Sequence, residues 1–280
     1  RVEDPRLLTG NGCYTADINL HGQAYAVVLR SPHAHACVDQ IDTNSALTAP
    51  GVLTVLTGED VAVDGLGNMP CNVPLTNRDG SPRATVPRPI LAQRRVRHVG
   101  EPVALVVAET LAQAQDAAEM INVDYTVLPS VTVTADAAHD GAPLVWDHVP
   151  DNTCFDWENG DAVAVDAALT KAAHITRLSI INNRVVVNAM EPRAALAETD
   201  KASGRTTLYT PSQGVTILQE QLAKTVFGID PTMLRVVTKD VGGGFGMKIF
   251  LHPEQCLVVW ASRRLEQPVK WVAERGESFL

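Results

Sequence analysis

The sequence predicts a mixed fold of the α+β or α/β kind, and three observations predict it. Short apolar runs of strand length occupy residues 25–29, 52–56 and 103–107. Behind the third run, Leu111, Ala114, Ala118 and Ile121 change to the spacing of a helix face. Further on, the β-branched run Leu234–Val237 leads into a glycine cluster and then a second apolar helical stretch. Strands that alternate with helices belong to mixed folds rather than to all-α or all-β ones.

Taken in order, 25–29 and 52–56 are apolar enough for strands, and 103–107 is a third, flanked by Gly100 and Pro102. Thr110 opens a helix over 110–120, with Thr110 at the N-cap and Gln113 three residues on, the spacing of a capping box. Residues 123–127 alternate as a strand does. Between Asp64 and Pro89 runs a stretch with Pro70, Pro74, Pro82, Pro87 and Pro89. Loops longer than about 12–15 residues are uncommon and usually functional or mobile. A second polar stretch marked by Gly and Pro, 136–152, is expected to link two domains. Asp161 caps a helix over 161–172. Residues 185–187 and Thr206–Tyr209 are strand-like. Val215, Leu218, Leu222 and Val226 describe an amphipathic helix ended by Gly228 and Pro231. After the glycine cluster, Pro253 suits the first turn of a helix over 253–264, and Val269–Val272 forms a last strand.

Length and composition bound the function classes. The 280 residues suggest one large domain or two ordinary ones. Composition is 45% hydrophobic and 20% charged, an ordinary globular balance that excludes disorder, collagen and a disulfide mini-scaffold. The longest apolar runs, such as 103–108, fall far short of the roughly 18 residues that cross a bilayer, so no membrane span is expected. Lys and Arg number 23 against 32 Asp and Glu, a net charge of −9 with no basic block. Nucleic acid is therefore not an expected partner, because phosphate contacts need clustered cations. Cys13, Cys37, Cys71, Cys154 and Cys256 are scattered and never form Cys-x-x-Cys. This argues against a disulfide framework and against a zinc or iron–sulfur site built from this chain alone. It favours a reducing, cytoplasmic setting, with the periplasm left open. The chain starts at Arg1 without a methionine, so an upstream segment is expected to have been removed.

The glycine cluster is the strongest chemical signal. In Asp240-Val241-Gly242-Gly243-Gly244-Phe245-Gly246-Met247-Lys248, consecutive glycines permit positive φ and close approach of a ligand, so that successive N–H groups can cradle an anion. Neither phosphate template fits. A P-loop needs Gly just before Lys and Ser or Thr after it, but Met247 precedes Lys248 and Ile249 follows; the dinucleotide fingerprint needs a third Gly where Met247 stands. A tight strand-to-helix turn is the plain alternative. Phe245 among the glycines and Lys248 behind them favour a cofactor cradle. Gln213, in the turn before the helix near Gly214, is either an amide donor to a ligand oxygen or a capping residue. Glu191 and Arg193, around Pro192, line a site or form an ion pair at a strand bend. His33 and His35 lie two apart with no third metal ligand nearby, which favours a structural role. No Gly-x-Ser-x-Gly or His-Glu-x-x-His occurs, so serine hydrolase and zincin chemistry have no support.

Several motifs carry a resemblance to a known family. Residues 1–10 (RVEDPRLLTG), with Tyr14 and Asp17, resemble the start of the molybdenum-binding large subunit of the xanthine dehydrogenase/aldehyde oxidase family, in the branch of carbon monoxide dehydrogenase and the bacterial N-heterocycle dehydrogenases. Residues 30–36 and 99–104 resemble its small α/β hammerhead domain. Residues 188–193, Gln213 and the 240–248 loop resemble the first half of its molybdopterin-binding domain, as do Pro268, Val269, Lys270, Trp271, Arg275 and Glu277. The resemblance implies a hammerhead domain over 1–135, a linker over 136–153 and the first part of a molybdopterin-binding domain over 154–280.

It also implies a molybdenum hydroxylase that oxidises a carbon of an N-heterocycle or aldehyde with oxygen from water. The implied cofactor is molybdopterin with molybdenum, in its cytosine dinucleotide form. Electrons would leave through [2Fe-2S] clusters on a small subunit to FAD on a medium subunit. Gln213, Gly243, Gly244, Phe245 and Gly246 would hold the cofactor, with Gln213 and Phe245 beside the metal and Glu191 and Ile249 at the substrate pocket. Where purine oxidisers carry a Glu after the loop's Lys, this chain has Ile249. The family's general-base Glu has no counterpart in this chain, so it and the other half of the cofactor site would come from the C-terminal half of the subunit, as a separate chain or a missing segment. The alternative is a non-catalytic binding or scaffold domain of the same fold without molybdenum.

Overall fold

A computed structural model describes residues 2–71, 74–183 and 185–280. Contacts divide the chain into two compact units. One comprises Arg1–Cys71, Pro87–Ser130 and Val187–Leu280, the other Asn72–Val86 and Val131–Val186.

The larger unit holds strands β1 (Ala24–Arg30), β2 (Ala36–Asp42), β3 (Val52–Thr57), β4 (Arg95–Val96), β5 (Pro102–Ala108), β6 (Asn122–Val127), β7 (Ala194–Thr199), β8 (Thr206–Tyr209), β9 (Leu234–Val237) and β10 (Val269–Val272). Helices α1 (Asp4–Leu8), α2 (Asn44–Leu47), α3 (Gly58–Val63) and α4 (Leu111–Glu119) lie in its first part. The smaller unit contributes α5 (Ala162–Lys171), and the larger one resumes with α6 (Val215–Glu220) and α7 (Pro253–Leu265). Seven strands form one mixed sheet in the order β3-β5-β1-β10-β7-β8-β9; β1–β10 and β8–β9 are parallel and the other neighbours antiparallel. A separate antiparallel sheet has the order β4-β2-β6. The large sheet takes β1, β3 and β5 from before residue 136 and β7 to β10 from after 153, while 136–153 lies in the smaller unit.

The apolar run at β5 is explained by burial on both faces. Leu105 and Val107 enter the core shared with α7, whereas Ala104, Val106 and Ala108 enter the core under α4. Helix α4 meets that core through Ala114, Ala117 and Ala118, whose small side chains let the helix lie close to the strands. Its N-cap is as expected: the Thr110 hydroxyl accepts the Gln113 N–H at 3.3 Å and donates to Gln113 Oε1 at 2.9 Å. Helix α7 is buried continuously from Glu254 to Ser262, the mark of a core helix rather than a surface one.

Two expectations need correction, and one strand of the large sheet was not expected. Residues 185–187 form no strand; Val185 is 82% exposed, and β-branched residues need a neighbouring strand and a packed face before they extend as one. The helix from Val215 is regular only to Glu220. It continues as wider π-type turns over Gln221–Phe227 before Gly228 ends it at φ 61°. Strand β7, paired on both sides in the sheet, was not anticipated, because its Ala-rich sequence has low strand propensity.

In the smaller unit, Asp161 caps α5 by accepting the Ala164 N–H at 2.9 Å. Asn152 ties this unit's turns together: its oxygen accepts from Val145 N–H at 2.8 Å, and its amide donates to Ala137 and Pro143 carbonyls at 2.8 and 3.0 Å.

Candidate cofactor site

The glycine loop leaves β9 and is fixed first at Asp240. The Asp240 carboxylate takes both Arg6 guanidinium nitrogens and the Cys13 N–H, and the hydrogen bond from Arg6 leads in holding its pKa at about 2. Gly242 comes next, pressed against Glu191: a Cβ there would lie 2.5 Å from Glu191 Cβ. Gly243 and Gly246 stand at φ +104° and +89°, which glycine adopts without strain. Phe245, between them, is also left-handed at φ +48° and is 79% exposed. A bulky residue in that conformation is a strained position held by its surroundings.

Gln213 is locked to the same loop. Its N–H donates to the Lys248 carbonyl at 3.0 Å, and its Oε1 accepts the Gly246 N–H at 3.0 Å. With the oxygen engaged, the amide's orientation is set, and Nε2 has no partner among the described residues. The N–H groups of Gly243, Gly244 and Phe245 likewise bond to no described residue. Gly244 does not have positive φ; glycine is needed there because a Cβ would stand 2.5 Å from Gln213 Cδ. The capping alternative for Gln213 is not what is seen. Helix α6 begins at Val215, and Ser212 Oγ accepts the Gly214 N–H at 2.9 Å.

Beneath the loop lie buried charges. Lys248 is bonded to Glu191, not exposed beside a ligand; Nζ donates to Glu191 Oε2 and to the Glu191 carbonyl, each at 2.9 Å. Arg193 pairs elsewhere, with Glu254 at 3.2 Å, so Glu191 and Arg193 do not form the pair weighed from sequence. Glu254 Oε1 also receives Arg30 Nη2 at 2.7 Å, and Arg30 Nε donates to Glu277 at 2.8 Å. Burial pushes the Glu254 carboxyl up, but the charges of Arg193 and Arg30 outweigh it and hold the pKa at about 2. Burial lowers the pKa of His252, whose Nε2 lies 3.1 Å from the Met247 carbonyl. Arg193, Thr210, Lys248, His252, Glu254 and Gln255 surround a cavity of about 10 Å³, room for one water. Arg275 braces the neighbouring turn through Asn188 Oδ1 and the Ala189 and Met190 carbonyls, each at 2.7 Å.

The structure thus brings Gln213, Gly243, Gly244, Phe245 and Gly246 together on one crest, with Glu191 bonded to the loop's first glycine. Ile249 follows in the short turn Met247–Ile249 and is exposed. Sequence reasoning missed Arg30 and Glu254. The histidine pair is separate: His33 meets the Tyr125 ring edge-on at 4.9 Å, and His35 Nδ1 lies 2.9 Å from the Pro129 carbonyl. Among the described residues no group of three His, Cys, Asp or Glu is placed to hold a metal ion, and no helix is long and apolar enough to cross a membrane.

Unused N–H groups on a glycine crest, one oriented carboxamide beside them and an ion-paired floor form a set of neutral donors of the kind that suits an anionic group. Residues 145–280 match the molybdopterin cofactor-binding domain, and residues 9–129 match the a/b hammerhead domain of aldehyde oxidase and xanthine dehydrogenase. The chain belongs to the xanthine dehydrogenase and aldehyde oxidase family, and its fold is the expected hammerhead with a molybdopterin-binding part.

It is 37% identical over 282 residues to the nicotine 6-hydroxylase large subunit of Paenarthrobacter nicotinovorans, covering 100% of this chain and 33% of the relative. It is 33% identical over 291 residues to the carbon monoxide dehydrogenase large chain of Afipia carboxidovorans, covering 100% and 34%. The crystal structure of quinoline 2-oxidoreductase from Pseudomonas putida 86 superposes with a TM-score of 0.88 at 36% identity, covering 100% of this chain and 34% of that one. The chain spans about a third of the length of the curated relatives it matches.

Proposed function

We propose that this chain forms one part of the cofactor site of a molybdenum hydroxylase large subunit acting on an N-heterocycle or an aldehyde. The observation that carries the proposal is the crest itself: among the described residues the N–H groups of Gly243, Gly244 and Phe245 have no partner, nor does the Gln213 Nε2 beside them, whose Oε1 is held by the Gly246 N–H. When bound, molybdopterin with molybdenum, proposed in its cytosine dinucleotide form, supplies two-electron oxidation of a carbon centre with oxygen from water. The loop N–H groups would bind its anionic end, and Gln213 Nε2 would donate to an oxygen on the metal side. Phe245 and Gly246 would shape the same wall. Ile249 would line the substrate side with an apolar surface, which cannot hydrogen-bond a polar ring edge and so disfavours xanthine.

The general base would lie outside this chain. The carboxylates nearest the loop are already held: Asp240 by Arg6, Glu191 by Lys248, and Glu254 by Arg30 and Arg193. The base would come with the remainder of the subunit. Electron acceptors would be a [2Fe-2S] small subunit and an FAD medium subunit, in a cytoplasmic complex. Metal, flavin and nucleotide analysis of the natively purified complex tests the reading. Molybdenum with iron, flavin and a cytosine nucleotide is expected; a complex free of molybdenum would leave the scaffold alternative.

A further inference from the structure

One buried side chain joins the two ends of the glycine loop. The Glu191 N–H donates to the Gly242 carbonyl at 3.1 Å, and its Oε2 accepts the Gly242 N–H at 2.8 Å. The same oxygen and the Glu191 carbonyl receive Lys248 Nζ, at 2.9 Å each. The side chains of Lys248 and Glu191 are 1% and 8% exposed. Between these anchors the backbone passes through positive φ at Gly243, Phe245 and Gly246. Such conformations persist only where the surroundings over-determine them. Within the loop itself the structure gives just one backbone bond, from the Met247 N–H to the Gly244 carbonyl.

We infer that Glu191 and Lys248 are positioning residues that fix the direction of the crest N–H groups, and that Lys248 does not itself touch the bound anion. A lysine behind a glycine cluster invites the opposite reading, as a charge aimed at phosphate. Its burial and its two bonds to Glu191 place that charge under the loop. The pair is also hard to break singly. Removing one partner leaves a buried charge unpaired, whereas replacing both with neutral groups of similar shape is tolerated far better. The inference rests on the reading of the crest as the cofactor cradle.

A double-mutant cycle in the full-length subunit within its native complex tests it, using Glu191→Gln, Lys248→Met and the two together. The readouts are hydrogen exchange of the 242–247 amides and molybdenum per subunit. Lys248→Met strands the Glu191 carboxylate, so loop exchange should rise at least about tenfold and molybdenum content should fall. Adding Glu191→Gln should restore both toward wild type, because the amide oxygen still accepts the Gly242 N–H and needs no counter-charge. Unchanged loop exchange in Lys248→Met overturns the inference. So does a double variant as poor in molybdenum as Lys248→Met alone, the result expected if the ammonium contacts the anion. Amides of β5 report on the fold as a whole. If they also exchange faster in Lys248→Met, Glu191→Gln alone decides: faster exchange confined to 242–247 supports the pair, and none overturns it. A wild-type complex without molybdenum would defeat the proposed function, yet the exchange measurements would still judge the pair.

Discussion

Two parts of the seven-stranded sheet are held by opposite means. Under α4, the strands β3 and β5 meet Ala114, Ala117, Ala118 and Ile121 in an apolar core, and among the described residues none of these three elements carries a buried charged side chain. Further along the sheet, where α7 packs on β7 and β10, the buried groups include the ion pair Arg193–Glu254 as well as Leu257 and Trp271. The first region is stabilised by area removed from water, which is non-directional and forgiving of small shifts. The second depends on charge pairs whose geometry must be right, since each ion has lost its hydration. The difference shows where precision is needed: the ion-paired region underlies the loop proposed to present donors to a ligand.

The largest expected effect breaks this contrast at Glu254. Glu254→Ala leaves Arg193 buried with little but the Glu277 carbonyl at 3.4 Å, and removes one of the two acids on Arg30. Chemical denaturation of the full-length subunit should register a loss of about 3–5 kcal/mol, the usual result of removing one partner of a buried pair. A loss under about 1 kcal/mol would mean that water enters the region and screens it. The same residue predicts an acid limb. Its folded pKa of about 2 lies below the ordinary 4.5. Its stabilisation is therefore complete above the ordinary value and is lost as pH falls from there through about 2. Glu254→Gln should flatten the stability profile in that window, and an unchanged acid limb would assign it to other carboxylates.

A smaller effect is expected on the crest. Gln213→Ala should lower turnover by roughly 2–4 kcal/mol in barrier while the subunit keeps most of its molybdenum, because one oriented donor to developing charge is removed and the glycine backbone remains. Gly244→Val should reach the same donor from the other side, since its Cβ would displace the Gln213 amide from 2.5 Å. Wild-type turnover in Gln213→Ala would show that the amide serves only the Gly246 N–H.

How much of this was legible follows the same division. Strand β5 and helix α4 could be read because their signals are local: an unbroken apolar run, a threonine cap, alanines at helical spacing. The glycine loop could be read by composition, and Gln213 by resemblance. Glu254 could not, because an acid just after Pro253 looks like an ordinary first-turn acid facing the helix dipole. Its partners Arg30 and Arg193 lie 224 and 61 positions away. Lys248 was visible, but its partner was not, since burial against Glu191, 57 positions earlier, is a tertiary fact. Strand β7 was missed because its alanines extend only between β10 and β8.

The smallest effect sharpens the comparison from the apolar side. Thr110 caps α4 at its exposed end, where its hydroxyl satisfies the otherwise unpaired Gln113 N–H and holds the Gln113 side chain. Thr110→Ala removes that acceptor but no packed surface, because the helix meets the sheet through Ala114, Ala117 and Ala118. The expected loss is about 1 kcal/mol, typical of an N-cap replaced by alanine. Exchange of amides in the first turn of α4 should rise, while exchange over 242–247 and molybdenum content should stay at wild-type values. The apolar core beneath the helix absorbs a frayed turn because its contacts have no single required direction. Were Thr110→Ala instead to loosen the glycine loop as much as it loosens α4, the two regions would be one cooperative unit, and their separation into a forgiving core and an exacting one would fail.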